Sequence, residues 1–126
     1  VLESIDKAIA SCGIKAKQLL ISSFNHQQLQ QISQQRPDLA IGALTASIPL
    51  GYAEFASQLN AYSVNMSIYA VTKPFIEDAH QRGLKVFVYT VDELEDIKML
   101  STLAVDGIFA NNPKKAKQYL SKISSS

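Results

Sequence analysis

Ser22, Ser23 and Phe24, then Thr45, Asn65, Tyr89 with Thr90, and Asn111 with Asn112 stand at the carboxyl ends of successive apolar runs. In a chain that alternates strand and helix, functional groups collect at those ends. The set offers hydroxyls, amides and aromatic rings. Its one acid is Asp92, at a position that suits a helix cap. General acid–base catalysis needs a group that holds and releases a proton near neutral pH, and this set has none. A hard cation needs several oxygen ligands with negative charge, which are also missing here. These side chains suit the wall of a pocket.

The remaining reactive residues lie elsewhere. His26 starts a helix just beyond a strand end and is expected to be exposed or to cap. His80 is deep in a helical stretch, four residues after Ile76, and is expected to pack and hydrogen-bond at the helix end. Ser22 and Ser23 lack the G-x-S-x-G setting of a nucleophile elbow. No glycine-rich phosphate cradle of either common type is present. A phosphoacceptor receiver would need an acidic pair after the first strand, which is absent. Cys12 is the single cysteine, so no intrachain disulfide can form. It falls on an apolar helix face as a buried thiol.

Composition narrows the class further. With 126 residues the chain is the size of one domain, and 47% hydrophobic against 18% charged residues argues for a packed core and against disorder. A net charge of +1 supplies no field to attract nucleic acid or an anionic membrane. Lys114 and Lys115 read as a solvated helix start. No apolar run approaches the roughly 20 residues of a membrane span, and no signal peptide is visible. Together with the lone thiol, this leads to the expectation of a cytoplasmic location.

The elements that would position these groups follow from periodicity. Leu2, Ile5, Ile9 and Cys12 predict a helix over 1–12, ended by Gly13. Strands are expected over 18–24, 38–45, 63–68, 85–91 and 106–110. Asn25 and Gln28 form a capping-box pattern ahead of a glutamine-rich helix, and Asp92 with Glu95 forms another. Thr72 caps a helix with Pro74 in its first turn, and Gly83 closes it. Pro113 opens a last helix with Ala116, Tyr119, Leu120 and Ile123 on one side. The order is α followed by repeated βα units. That implies an α/β fold with a parallel sheet and right-handed crossovers, with helices expected on both faces.

Three segments in order resemble one family. "LLISSF" resembles the strand ending Ser-Phe in glycerophosphodiester phosphodiesterases. "EDAHQRGLKVFVYTVD" is similar to that family's Ala-His, Gly, and a strand ending Trp-Thr-Val-Asn. "LAVDGIFANNP" is similar to its closing Gly-Val-Asp-Gly-Ile-Ile-Thr-Asp/Asn-x-Pro. The resemblance implies the C-terminal half of a (β/α)8 TIM barrel of the PLC-like phosphodiesterase type, with residues 1–126 as one partial domain. It implies hydrolysis of a glycerophosphodiester to glycerol 3-phosphate and an alcohol by the full-length enzyme, with a divalent cation, calcium or magnesium. The family's His-Arg-Gly, Glu-x-Asp, His-Asp and Glu-x-Lys strands have no counterpart here and would precede Val1. Hence no catalytic residue and no metal ligand is assigned to this chain. The resemblance assigns the pocket wall instead: Tyr89 at the motif Trp, with Phe24, Asn65 and Asn111 as further substrate-binding positions. Ala104, Ala110 and Asp92 depart from the usual Gly, Thr and Asn.

A half barrel has open strand edges. Val86, Val88 and Ile108 are expected to face inward and lose packing partners. The expected remedies are pairing with the missing N-terminal half, self-association, or an open three-layer sandwich. The leading reading is thus part of a metal-dependent phosphodiesterase, inactive alone. The alternatives are a non-catalytic half-barrel that binds a ligand or protein, and a purely structural module.

Overall fold

A computed structural model of the chain describes residues 20–112 and 114–119. The helix expected over 1–12, with Cys12 and Gly13, lies outside the described residues, as do Pro113, Leu120 and Ile123. The elements are β1 (Leu20–Ser23), α1 (His26–Gln35), β2 (Ala40–Thr45), α2 (Glu54–Gln58), β3 (Ser63–Ser67), a 3-10 turn (Ile68–Ala70), α3 (Lys73–Gln81), β4 (Lys85–Tyr89), α4 (Leu94–Thr102) and β5 (Gly107–Ile108). Residues 114–119 are helical. The alternation is as expected; the observed strands are shorter than the apolar runs that announced them.

The sheet runs β1-β2-β3-β4-β5, every neighbour parallel. Sequential parallel strands joined by crossovers of one hand bring their helices to one side. The core agrees. Leu29 and Ile32 of α1, Phe75, Ile76 and Ala79 of α3, and Ile97 and Leu100 of α4 pack with Ile41, Ala43, Val64, Met66, Val86 and Val88. Side chains alternate along a strand, so the residues between these point the other way. The register pairs Gly42 with Ser63, Leu44 with Asn65, Asn65 with Phe87, and Ser67 with Tyr89 on that second, inner face.

Two expectations are corrected by this arrangement. Among the described residues the helices cover one face, so the architecture has two layers and not three. Val86 and Val88 do not face inward: both are fully buried under the helices, and Ile108 packs against the same cluster. A half-covered strand alternates, and "KVFVY" does so, with Val86 and Val88 buried and Phe87 and Tyr89 only half-buried.

Local signals account for most helix ends. The Asn25 side chain accepts from the Gln28 N–H and that of Thr72 from the Phe75 N–H, each satisfying one orphan donor of a first turn. Gly83 ends α3 at φ 78°, a left-handed position that glycine adopts without a Cβ penalty. Ala104 does the same work after α4 at φ 59°, where the family motif has glycine. Asp78 accepts from the Ala53 N–H at 2.9 Å and from Arg82 Nε at 2.9 Å, tying α3 to the start of α2. The second capping box does not form: the N-cap of α4 is Glu93, with no side-chain cap bond.

Candidate functional site

The carboxyl ends of the strands form one rim. Phe24, just past β1, and Tyr89, closing β4, meet edge-to-face with ring centroids 6.2 Å apart, although β2 and β3 lie between their strands. The Tyr89 hydroxyl donates to the Thr45 carbonyl oxygen at 3.1 Å. Tyr89 therefore lies across the end of β3 as a fixed bar, and burial pushes its hydroxyl above the usual tyrosine value. Phe24 is 58% exposed and leaves a ring face free at the rim. These two predicted wall residues are brought together.

Asn65 is placed differently. It stands mid-strand in β3, not at the strand end, and is 1% exposed. The residue at the rim of β3 is Ser67. Asn65 Oδ1 accepts from Ser63 Oγ at 2.7 Å, while its Nδ2 is buried with no partner. An ideal Cβ on Gly42 would sit 2.9 Å from both Asn65 Nδ2 and Ser63 Oγ. Glycine at 42 is what leaves room for the amide.

Asn111 lies on the rim and is bound to Asp92. One Asp92 oxygen accepts from the Asn111 backbone N–H at 2.8 Å and the Asn112 N–H at 3.4 Å; the other accepts from Asn111 Nδ2 at 3.1 Å. Asp92 thus clasps two rim loops together, which is why it does not cap α4. Asn112 in turn accepts from the Lys115 N–H at 3.0 Å and starts the last helical stretch.

Sequence reasoning missed Tyr69. Read as strand through 68, the chain instead turns at Ser67, whose Oγ accepts from the Tyr69 N–H at 3.2 Å. Tyr69 projects beside a cavity of about 340 Å³, lined also by Thr90, Asp92, Asp96 and Met99. The Ser67 hydroxyl two residues ahead was the available signal, since such side chains cap short turns.

The histidines are spent on structure. His26 stacks on Phe55 at 5.0 Å and its Nε2 donates to the Leu44 carbonyl oxygen at 2.9 Å, which pins α1 to β2. It neither caps nor points free into the rim. His80 Nε2 shares a 2.9 Å hydrogen bond with Asp106 Oδ2, as a structural histidine at the helix end should. Asp106 also accepts from the Val86 N–H at 2.7 Å. Burial works to raise the Asp106 carboxyl, but the Val86 N–H, His80 and Lys85 together hold it below its ordinary value.

No group of three or more histidine, cysteine or acidic side chains among the described residues could hold a metal ion. Asp92 is the acid nearest the wall, and both its oxygens already accept N–H donors. A divalent cation does not fit this donor set. The rim as built can stack against a ligand and hydrogen-bond its hydroxyls.

The sequence model of the glycerophosphoryl diester phosphodiesterase family matches residues 1–115. The chain belongs to that family. A glycerophosphodiester phosphodiesterase of Caldanaerobacter subterraneus subsp. tengcongensis is 30% identical over 112 residues, which is 89% of this chain and 46% of that protein. The crystal structure of a glycerophosphodiester phosphodiesterase from Parabacteroides distasonis superposes with a TM-score of 0.82 at 15% identity, over 97% of this chain and 50% of that one. An Oleispira antarctica phosphodiesterase, solved in complex with the product sn-glycerol-3-phosphate, gives a TM-score of 0.75 at 23% identity, over 82% of this chain and 42% of that one. The chain spans about half the length of the curated relatives it matches. Its five-stranded sheet with alternating βα units is thus about half of the family's TIM-type barrel, and the face without helices is the one a closed barrel turns inward. Among the described residues no helix is long and apolar enough to cross a membrane.

Proposed function

We propose that residues 1–126 form one partial domain, the C-terminal, non-catalytic half of a glycerophosphodiester phosphodiesterase. The polypeptide that completes the barrel would supply the proton-transfer groups and the carboxylates for a calcium or magnesium ion. This half supplies the scaffold and part of the substrate wall. Tyr89 and Phe24 offer ring surface to the glycerol or alcohol moiety, Asn111 offers a hydrogen bond, and Asn65 shapes the floor beneath them. The observation that carries the reading is the rim itself. It holds aromatic rings, amides and hydroxyls in a fixed arrangement, on a sheet that spans half of its relatives.

The test is hydrolysis of glycerophosphocholine with calcium or magnesium. The chain alone is expected to give no turnover. Addition of a polypeptide carrying the His-Arg-Gly to Glu-x-Lys strands of a relative is expected to restore it, and a chelator to abolish it. Chelator-sensitive turnover by the chain alone would overturn the assignment.

A second reading, a stand-alone half-barrel that binds without turnover, draws on the complete core beneath the sheet's outer face. Light scattering after size exclusion separates the two. A lone compact monomer that ignores the complementing half favours the second, and a complex or self-association favours the first.

A further inference from the structure

Among the described residues, Asp92 is the one rim carboxylate with hydrogen bonds to a proposed wall residue. A carboxylate only accepts, so the side chain of Asn111 must turn its Nδ2 toward it; the reverse orientation would set oxygen against oxygen. The Asn111 carbonyl oxygen Oδ1 is thereby turned away from Asp92. The backbone N–H groups of Asn111 and Asn112 are held by the same carboxylate. With backbone and side chain both tied, the amide cannot flip to suit a ligand.

We propose that Asp92 is a positioning residue that fixes Asn111 to present its carbonyl oxygen, so that this corner of the wall accepts a hydrogen bond from a hydroxyl of the ligand and turns away phosphate. This rests on the reading of Asn111 as substrate wall. Two pieces of chemistry support it. A phosphate oxygen could approach only the remaining Nδ2–H, and it would then stand beside the negative charge of Asp92. A hydroxyl meets no such repulsion and finds an acceptor already oriented. The phosphate of a glycerophosphodiester therefore lies toward the completing half, and the glycerol or alcohol hydroxyls lie toward Asn111. The pairing also bears on one motif departure: the resembled motif carries Asn where Asp92 stands and Asp or Asn where Asn111 stands, and this chain has the carboxylate at the first position and the amide at the second.

The experiment is a titration of the 15N-labelled chain with glycerol, glycerol 3-phosphate and inorganic phosphate. The readouts are the Asn111 side-chain amide and the backbone amides of residues 111 and 112. Glycerol and glycerol 3-phosphate should shift these signals and inorganic phosphate should not. Asp92→Asn should weaken the glycerol response about threefold to tenfold, the effect of one lost hydrogen bond, and let inorganic phosphate shift the same signals. Asn111→Asp, which sets two carboxylates face to face, should lose the response. The double exchange Asp92→Asn with Asn111→Asp should regain it, a rescue that a merely structural role would not produce. The proposal is overturned if inorganic phosphate shifts the wild-type signals as glycerol 3-phosphate does. It is also overturned if glycerol leaves them unmoved, or if the double exchange fails to recover. None of these outcomes depends on turnover, so the hydrolysis experiment can fail while this one succeeds, and the reverse.

Discussion

Replacing Gly42 by alanine tests how tightly the inner face is built. The new methyl would stand 2.9 Å from Asn65 Nδ2, 2.9 Å from Ser63 Oγ and 3.1 Å from Asn65 Oδ1. Neither neighbour can swing aside into solvent, because Ser63 and Asn65 are 0% and 1% exposed and hold each other by a 2.7 Å hydrogen bond. Overpacking of a buried site costs about 1–3 kcal/mol, and loss of the Ser63–Asn65 bond adds about 1 kcal/mol. The expected total of roughly 2–4 kcal/mol corresponds to a fall of about 8–16 °C in unfolding midpoint for a domain of this size. Thermal and urea unfolding followed by circular dichroism would read it. Gly42→Ala combined with Asn65→Ala should be far less destabilised than the sum of the single variants, because the second change removes the group struck by the methyl. If Gly42→Ala lies within about 0.5 kcal/mol of the parent, or if the two changes simply add, the packing argument is wrong.

Other perturbations are expected as follows. Ala104→Gly should stabilise the chain by about 0.5–1 kcal/mol, because Ala104 holds φ 59° at a cost that glycine, without a Cβ, would remove; a lower midpoint in thermal unfolding would contradict it. Asp106→Ala strips the Val86 N–H and the His80 ring of their acceptor and should cost about 2–3 kcal/mol. The folded Asp106 carboxyl is held low, so its contribution is present above the unfolded carboxylate value and is lost as pH falls through the folded one. Urea midpoints measured downward from about pH 5 should therefore converge for parent and variant. Tyr89→Phe removes the bond to the Thr45 carbonyl and should cost about 1 kcal/mol. The folded Tyr89 value is raised, so its contribution is intact below the unfolded tyrosine value and fades as pH rises through the folded one. The gap between parent and variant should accordingly narrow above about pH 10.

The βα order, the caps at Asn25 and Thr72 and the stop at Gly83 were all legible, because each is set within a few residues of chain. The rim positions of Phe24 and Tyr89 were legible because a strand end announces its own position. What failed depended on partners distant in sequence. Asp92 and Glu95 have the spacing of a capping box, yet the Asp92 carboxylate finds three N–H donors 19 and 20 residues away, and those outbid a single cap bond. Asn65 was read at a strand end, but β3 continues two residues past it to Ser67, and pairing with Leu44 and Phe87 on the flanking strands holds the amide in the interior. His26 gave no local hint that the Leu44 carbonyl and the Phe55 ring would claim both its edge and its face.

The inversion of the two sheet faces has the largest physical consequence. Had Val86, Val88 and Ile108 pointed inward, each would have left roughly 1.5–3 kcal/mol of burial unrealised in a half barrel, a large share of a net stability of about 5–15 kcal/mol. Val86 and Val88 instead lie in the core beneath the helices, with the half-buried Ile108 packed against it. The inner face carries Ser22, Gly42, Ser63, Asn65 and Ser67, with Leu44, Phe87 and Tyr89 only half-buried among them. Polar and small side chains lose little when a partner is absent, so association through this face must draw on Leu44, Phe87, the rim aromatics and the outer edges of β1 and β5, which end the sheet among the described residues. Those edges are 4 and 2 residues long, too short to template extended pairing by themselves. On the proposed function, a completing polypeptide would bury Leu44 and Phe87 along the inner face together with the rim aromatics, so its contacts would serve closure and site assembly at once.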